Sequence, residues 1–286
     1  MSRTVYVNGV FLPEHDAKIS IFDRGFIFAD GIYEVSAVMA GKLLDNDAHL
    51  KRLERSLGEI GMPMPMPAEE IVKIQKELIA RNDIVEGTVY LQVTRGAADR
   101  DFPFPPADTM QTLVMFTQKR DFTNSPAARA GIRMATVRDI RWERRDIKSV
   151  ALLAQVLAKQ AAAEKGCQEA IMHTADGVVT EGGSSTIFIV TANGELVTRP
   201  LSNEVLPGIT RQSLKLLCDE RGVPFIERAF TVDEALAAPE VFVTSAGSFV
   251  TAVVEIDGKR IGGGQPGPVA RRLREIYLDE AVKAGV

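Results

Sequence analysis

Lys148 stands in the segment RWERRDIKSV, with Arg141, Arg144 and Arg145 before it and the apolar Ile147 and Val150 close by. A lysine partly withdrawn from water and near other cations gives up its proton more readily than a solvated one, and the free amine then attacks carbonyl carbon. Most lysines are solvated surface groups, so the local pattern alone leaves both readings open. Glu181, in VVTEGGSSTIF, falls at a predicted strand end with Gly182 and Gly183 behind it. It is either an exposed carboxylate on a tight turn or a carboxylate that glycine lets the backbone bring against a ligand. Two further segments offer N–H and hydroxyl donors. Pro207-Gly208-Ile209-Thr210-Arg211 precedes a predicted helix, whose first N–H groups and dipole favour an anion, and Thr210 is the expected N-cap. Thr244-Ser245-Ala246-Gly247-Ser248 follows the predicted strand EVFVT. Each is an ordinary cap or turn when taken singly; two in one half of the chain favour a phosphate site. His49 and Arg52 are three residues apart on a predicted helix and share a face, as a surface pair or with Arg52 as a bidentate phosphate contact.

These residues need elements to hold them. Val5 and Val7, the Asn8-Gly9 turn and Val10-Phe11-Leu12 predict a strand pair. Leu50, Leu53, Leu57 and Ile60 recur at helical spacing over residues 49–60, closed by Gly61, and a second helix is predicted over 69–82. The intervening MPMPMP run forbids helix. Strands are expected over 89–94 and 113–117, separated by the Pro-rich loop RGAADRDFPFPPADTM, long enough to suggest a functional role. Residues 1–120 form the expected N-terminal domain, 121–130 (DFTNSPAARA) the connection and 131–286 the C-terminal domain. In that second half strands are expected over 132–137, 170–173, 187–190, 195–197, 241–244 and 251–256. Helices are expected over 149–165, 210–220 and 269–281. The GGGQPGP run reads as a turn-rich loop because no strand-then-helix pattern brackets its glycines.

Composition excludes several function classes. At 286 residues the expectation is about two domains. Lys and Arg total 34 against 38 Asp and Glu, a net charge of −4, so no basic excess exists to hold a phosphate backbone and no nucleic-acid partner is expected. No apolar run approaches the roughly 18–20 residues that span a bilayer, and the N-terminal stretch lacks a signal-peptide apolar region. Cys167 and Cys218 are too few for a disulfide scaffold; two buried thiols in a reducing cytoplasm are expected. His15, His49 and His173 are far apart and without Cys partners, so no metal site is expected.

The segments DRGFIFADGIYEV, LQVTRG, DIRWERRDIKSVALLAQVLAKQ, TEGGSS, PGITR and FVTSAGS, in this order and spacing, resemble the fold-type IV pyridoxal-phosphate enzymes, most nearly their D-amino-acid aminotransferase branch. The resemblance runs through essentially the whole chain. It implies a mixed α/β fold, with a small N-terminal α/β sandwich, a larger C-terminal pseudo-barrel domain and the cofactor in the cleft. It implies transamination between a D-amino acid such as D-alanine and a 2-oxo acid such as 2-oxoglutarate, in two steps through the pyridoxamine form. Lys148 would be the Schiff-base lysine and proton shuttle, and Glu181 would pair with the pyridine nitrogen. Arg52, Ile209, Thr210, Ser245 and Ala246 would hold the phosphate, Ser184 and Leu206 would lie against the ring, and Tyr33 would face the cofactor. Arg100 would bind the substrate carboxylate in the neighbouring active site of a homodimer.

Four positions depart from the family pattern. Phe102 stands where a histidine usually completes the carboxylate trap, which tilts the range toward hydrophobic D-amino acids or primary amines. Thr186 replaces the usual asparagine, and Ala246-Gly247 leave the phosphate turn with fewer hydroxyls, implying weaker cofactor retention. An (R)-amine or broad-range transaminase and an aminodeoxychorismate lyase share the skeleton and are the alternatives.

Overall fold

The computed structural model describes residues 2–286, which fold as two units. The first comprises the chain to Asp121, Ile147–Ala151 and Ala284–Val286; the second comprises Phe122–Asp146 and Leu152–Lys283.

In the first unit the elements are β1 (Thr4–Val7), β2 (Val10–Pro13), α1 (Arg24–Phe28), β3 (Gly31–Met39), β4 (Lys42–Leu43), α2 (Asn46–Glu59), α3 (Ala68–Arg81), β5 (Gly87–Thr94) and β6 (Thr112–Lys119). The strands form an antiparallel sheet in the order β2-β1-β6-β5-β3-β4. Strand alternation sends Ile32, Leu91, Val93, Leu113 and Met115 to one face, where they pack with Leu50, Leu53 and Leu57 of α2 and Ile71 and Leu78 of α3. Tyr33, Tyr90 and Phe116 form a stacked aromatic ladder, with ring centroids 5.6 and 4.7 Å apart. Residues 148–150 add to the edge of β3: Tyr33 N donates to Lys148 O at 3.0 Å and Val150 N to Gly31 O at 3.0 Å, around a bridge from Ile32 to Ser149.

The second unit holds α4 (Pro126–Ala130), β7 (Ile132–Arg138), α5 (Leu153–Glu164), β8 (Glu169–His173), β9 (Val179–Gly182), β10 (Thr186–Val190), β11 (Leu196–Thr198), α6 (Ile209–Arg221), β12 (Phe225–Glu227), α7 (Val232–Ala237), β13 (Glu240–Ser245), β14 (Phe249–Ile256), β15 (Lys259–Arg260) and the body of α8 (Pro268–Ala284). Its mixed sheet runs β12-β11-β10-β13-β14-β7-β8-β9, with β15 on β14. Laid flat, β10 and β9 would lie five strand spacings apart, about 24 Å. Yet residues 183–185 alone join them, a link of about 14 Å at full extension. The sheet therefore curls, as a pseudo-barrel requires. Ile187 and Ile189 face a core with Val241, Val243 and Phe230, while Phe188 and Val190 face α6 and α8 through Leu214, Cys218 and Leu273.

The structure corrects three sequence expectations. The helix expected from residue 149 begins at Leu153, because residues 148–150 are drawn into extended pairing with β3. Residues 121–130 include the helix α4, capped by Ser125. The N-cap of α6 is Gly208, not Thr210, and it makes no side-chain cap bond. Cys218 is buried but Cys167 is half-exposed just past α5, so only one of the two thiols lies in a core. Among the described residues no helix is long and apolar enough to cross a membrane, and no group of three or more His, Cys, Asp or Glu is placed to hold a metal ion.

Candidate active site

In the first unit the pairing of 148–150 with β3 places Lys148 beside the aromatic ladder. Its Nζ lies 4.1 Å from the centroid of the Tyr33 ring, and it makes no hydrogen bond or ion pair among the described residues. The half-buried Nζ thus rests on a π face and is committed to no acid among the described residues. The three arginines preceding it in sequence are committed to carboxylates: Arg141 to Asp139 and Glu181, Arg144 to Asp146, and Arg145 to Asp139.

His49 and Arg52 are not a surface pair. Both are buried and face Glu34 of β3: Arg52 Nε and Nη2 donate to its two oxygens at 2.7 and 2.8 Å, and His49 Nδ1 lies 2.7 Å from Oε2. Burial pushes the Glu34 carboxyl up, but the Arg52 and His49 bonds outweigh it and hold it at about 2. Arg52 is thereby fixed in direction by a carboxylate that sequence reasoning passed over.

In the second unit Glu181 is a buried carboxylate with both oxygens engaged. Arg141 Nη1 donates to Oε2 at 2.6 Å and Leu206 N to Oε1 at 2.9 Å. A carboxylate accepts about four hydrogen bonds, so capacity remains for another donor. Burial outweighs the Arg141 cation and the Leu206 N–H and holds the Glu181 carboxyl above the usual carboxylate range. Arg141 is itself held by Asp139, a second acid absent from the sequence reading. Burial raises Asp139, but Arg141 and the Thr180 hydroxyl bring it down to about 2.

From Leu206 the chain runs directly to the start of α6. Gly208 packs so closely on Thr186 that a Cβ there would lie 2.8 Å from Thr186 Oγ1. Thr186 pairs across the sheet with Thr244, whose buried hydroxyl has no hydrogen-bond partner, and Ser245-Ala246 follow at once. The two donor turns thus meet at one end of the β10–β13 pair, with the N–H groups of the first α6 turn free of any side-chain cap. Ser245 Oγ is 2.8 Å from Ser248 Oγ. Ser184, expected against a cofactor ring, bonds Lys159 Nζ at 3.2 Å and Glu169 at 3.1 Å. Glu169 also accepts Gly183 N at 3.0 Å and so holds the turn after Glu181.

Arg100 and Phe102 lie exposed on the loop between β5 and β6, with the Arg100 guanidinium 5.4 Å from the Phe28 ring and 5.6 Å from Phe102.

Residues 31–256 match the amino-transferase class IV family, and the chain belongs to that family. It is similar to the D-alanine aminotransferase of Staphylococcus haemolyticus, 41% identical over 273 residues that make up 96% of each chain. The D-alanine aminotransferase of Bacillus licheniformis is 38% identical over 287 residues, 98% of this chain and 99% of that one. Among solved structures, a branched-chain amino acid aminotransferase of T.th. with pyridoxamine 5'-phosphate superposes with a TM-score of 0.88 at 27% identity, over 99% of this chain and 95% of that chain.

Proposed function

We propose that the chain is a pyridoxal-phosphate-dependent aminotransferase that moves an amino group between a D-amino acid such as D-alanine and a 2-oxo acid such as 2-oxoglutarate. The observation that carries the reading is Lys148 Nζ, held 4.1 Å over the Tyr33 ring with no acid or hydrogen-bond partner among the described residues. The donor set fits the cofactor. A buried carboxyl with spare acceptor capacity suits a ring nitrogen, and uncapped helix N–H groups beside the unpartnered Thr244 hydroxyl suit a phosphate. When bound, pyridoxal phosphate supplies an aldehyde carbon for the amino group and a ring that spreads negative charge from the substrate Cα.

The chain's own residues do the rest. Lys148 would hold the cofactor at its aldehyde carbon and would move the substrate Cα proton as general base and acid. Glu181, aimed by Arg141 and the Leu206 N–H, keeps the ring nitrogen protonated. Ile209, Thr210, Ser245 and Ala246 hold the phosphate together with Arg52, whose guanidinium plane Glu34 fixes. Tyr33 supports Lys148 and borders the ring, and Ser184, tied to Glu169, and Leu206 lie against it as well. Arg100 binds the substrate carboxylate in a homodimer, and Phe102, in place of a histidine, widens acceptance of hydrophobic D-amino acids. In this reading the two units are the enzyme's two domains, and residues 121–130 are the connection.

The test is an amino-donor panel with both enantiomers of alanine and phenylalanine and (R)-1-phenylethylamine, with 2-oxoglutarate as acceptor. Pyruvate from D-alanine, dependent on 2-oxoglutarate, is expected. Reaction with L-donors alone would overturn the stereochemical reading, and pyruvate from aminodeoxychorismate without an oxo acid would point to the lyase. Lys148→Ala should lose the visible absorption band of the bound cofactor and lower kcat by at least about 10²–10⁴-fold.

A further inference from the structure

We infer that Arg24, oriented by Asp30, is a positioning residue for the loop bearing Arg100 and Phe102, and that it sets how firmly the enzyme holds the carboxylate of its amino and oxo acids. The substrate half of this inference rests on the reading of that loop given above; the anchoring half rests on geometry alone. Arg24 opens α1, yet its side chain is 4% exposed and serves the loop rather than the helix. Nη1 donates to Asp101 O at 2.7 Å and to Pro103 O at 3.3 Å, and Nη2 donates to Phe102 O at 3.3 Å. One planar fork thus gathers three consecutive carbonyls immediately after Arg100, a task for which the single ammonium of lysine has the wrong shape.

Asp30 aims the fork. Its Oδ2 accepts Arg24 Nε at 2.8 Å and Arg95 Nε at 2.8 Å, so one carboxylate orients two guanidinium groups. The second works on the same loop: Arg95 stacks 3.6 Å from the Phe104 ring centroid while its Nη2 donates to Ile60 O at 2.7 Å. Burial pushes the Asp30 carboxyl up, but the two arginines prevail and hold it below the usual carboxylate range, charged throughout the working pH. The aromatic contacts continue outward. Arg24 lies 4.7 Å from the Phe28 ring, and Phe28 and Phe102 are 5.5 Å apart. The loop base is closed by Gly96, at φ +92°, where any Cβ would lie 2.0 Å from Met110 O. An exposed segment without strand or helix is thereby held from its base, at its carbonyls and by its rings. A loop ordered before substrate arrives spends less binding energy on ordering when the carboxylate docks.

The experiment compares the wild-type holoenzyme with Arg24→Lys, which keeps a cation for Asp30 but loses the fork, and with Arg24→Met. Circular dichroism and the cofactor absorption band confirm folding and loading; if Arg24→Met does not fold, Arg24→Lys carries the test. Limited proteolysis with trypsin followed by mass spectrometry reads cleavage after Arg100, and steady-state kinetics reads substrate affinity. Loss of charge-assisted bonds to the loop should speed cleavage about tenfold and raise KM for D-alanine and 2-oxoglutarate about tenfold or more. Turnover at saturation should stay within about threefold, and KM for (R)-1-phenylethylamine, which has no carboxylate, should not change. Unchanged cleavage in folded variants would overturn the anchor and leave the reading of the loop standing. Faster cleavage with unaltered KM for the acids would keep the anchor and overturn both its role in substrate binding and the assignment of the loop to the carboxylate.

Discussion

Glu34 decides the direction in which Arg52 can meet a ligand. Its two oxygens hold the Nε–Nη2 edge of Arg52 and the ring of His49 inside the core of the first unit. Removing one partner of a buried ion pair leaves the other uncompensated, at a cost of about 3–5 kcal/mol. Glu34→Gln, which keeps the shape and loses the charge, should therefore lower unfolding free energy by a large part of that and weaken cofactor retention, read by denaturant titration and by the dissociation constant for pyridoxal phosphate. The pH dependence has a definite sign. The carboxyl is held at about 2 in the fold against an ordinary 4.5, so its stabilisation is fully present above pH 4.5 and is lost as pH falls toward 2. The stability gap between wild type and Glu34→Gln should narrow over that window; a gap independent of pH would show that the charge contributes nothing. The sequence carried a trace of this arrangement. Glu34 and Ser36 occupy the same strand face as Ile32 and Val38, so polar groups interrupt a core-facing row. Lys148 and Glu181, by contrast, stood out through the segments around them, whereas Asp139 and Arg141 become informative only when folding joins them to Glu181.

Elements with strong periodicity were legible in advance. Residues 49–60 and 69–82 are helical to within a few residues as α2 and α3, and most strands of three residues or more were anticipated from alternating apolar positions. What escaped was set by partners distant in sequence. Residues 149–152 have helical character locally, but Gly31, Ile32 and Tyr33 take residues 148–150 into extended pairing, which is what brings Lys148 over Tyr33. The start of α6 is a similar case. Thr210 is a good N-cap by type, but the close approach to Thr186 admits only glycine at 208, and the cap falls there without a side-chain oxygen. This leaves the first-turn N–H groups to a ligand. Gly208→Ala should push against Thr186 Oγ1 and weaken cofactor binding about tenfold, the worth of one charge-assisted hydrogen bond. Adding Thr186→Ala, which removes the atom in the way, should restore most of the affinity in the same titration. Failure of the double variant to recover would mean that the displaced group is not the Thr186 hydroxyl.

On the scale of the whole molecule, the first unit displays several large apolar side chains to solvent. Ile21, Phe26, Phe102 and Met110 are each more than 70% exposed. The segments that carry them are tied together, Ala98 N donating to Phe22 O at 3.2 Å and the Phe28 ring lying 5.5 Å from Phe102. In the proposed homodimer these exposed apolar side chains are assigned to the surface that the partner covers, a symmetric pair of copies being the commonest closed assembly. Phe26→Glu should shift the protein toward monomer in sedimentation equilibrium, with activity falling in parallel. Complementation tests whether the loop acts across that pair. Lys148→Ala and Arg100→Ala subunits are each inactive alone if both residues are essential. When they are mixed, unfolded together and refolded, half of the dimers should be mixed. In these, one site would draw its lysine from one subunit and its arginine from the other, and the second site would have neither. About a quarter of wild-type activity is then expected for random twofold pairing. If each loop served the site of its own chain, every subunit in the mixture would lack one essential group and no activity would return.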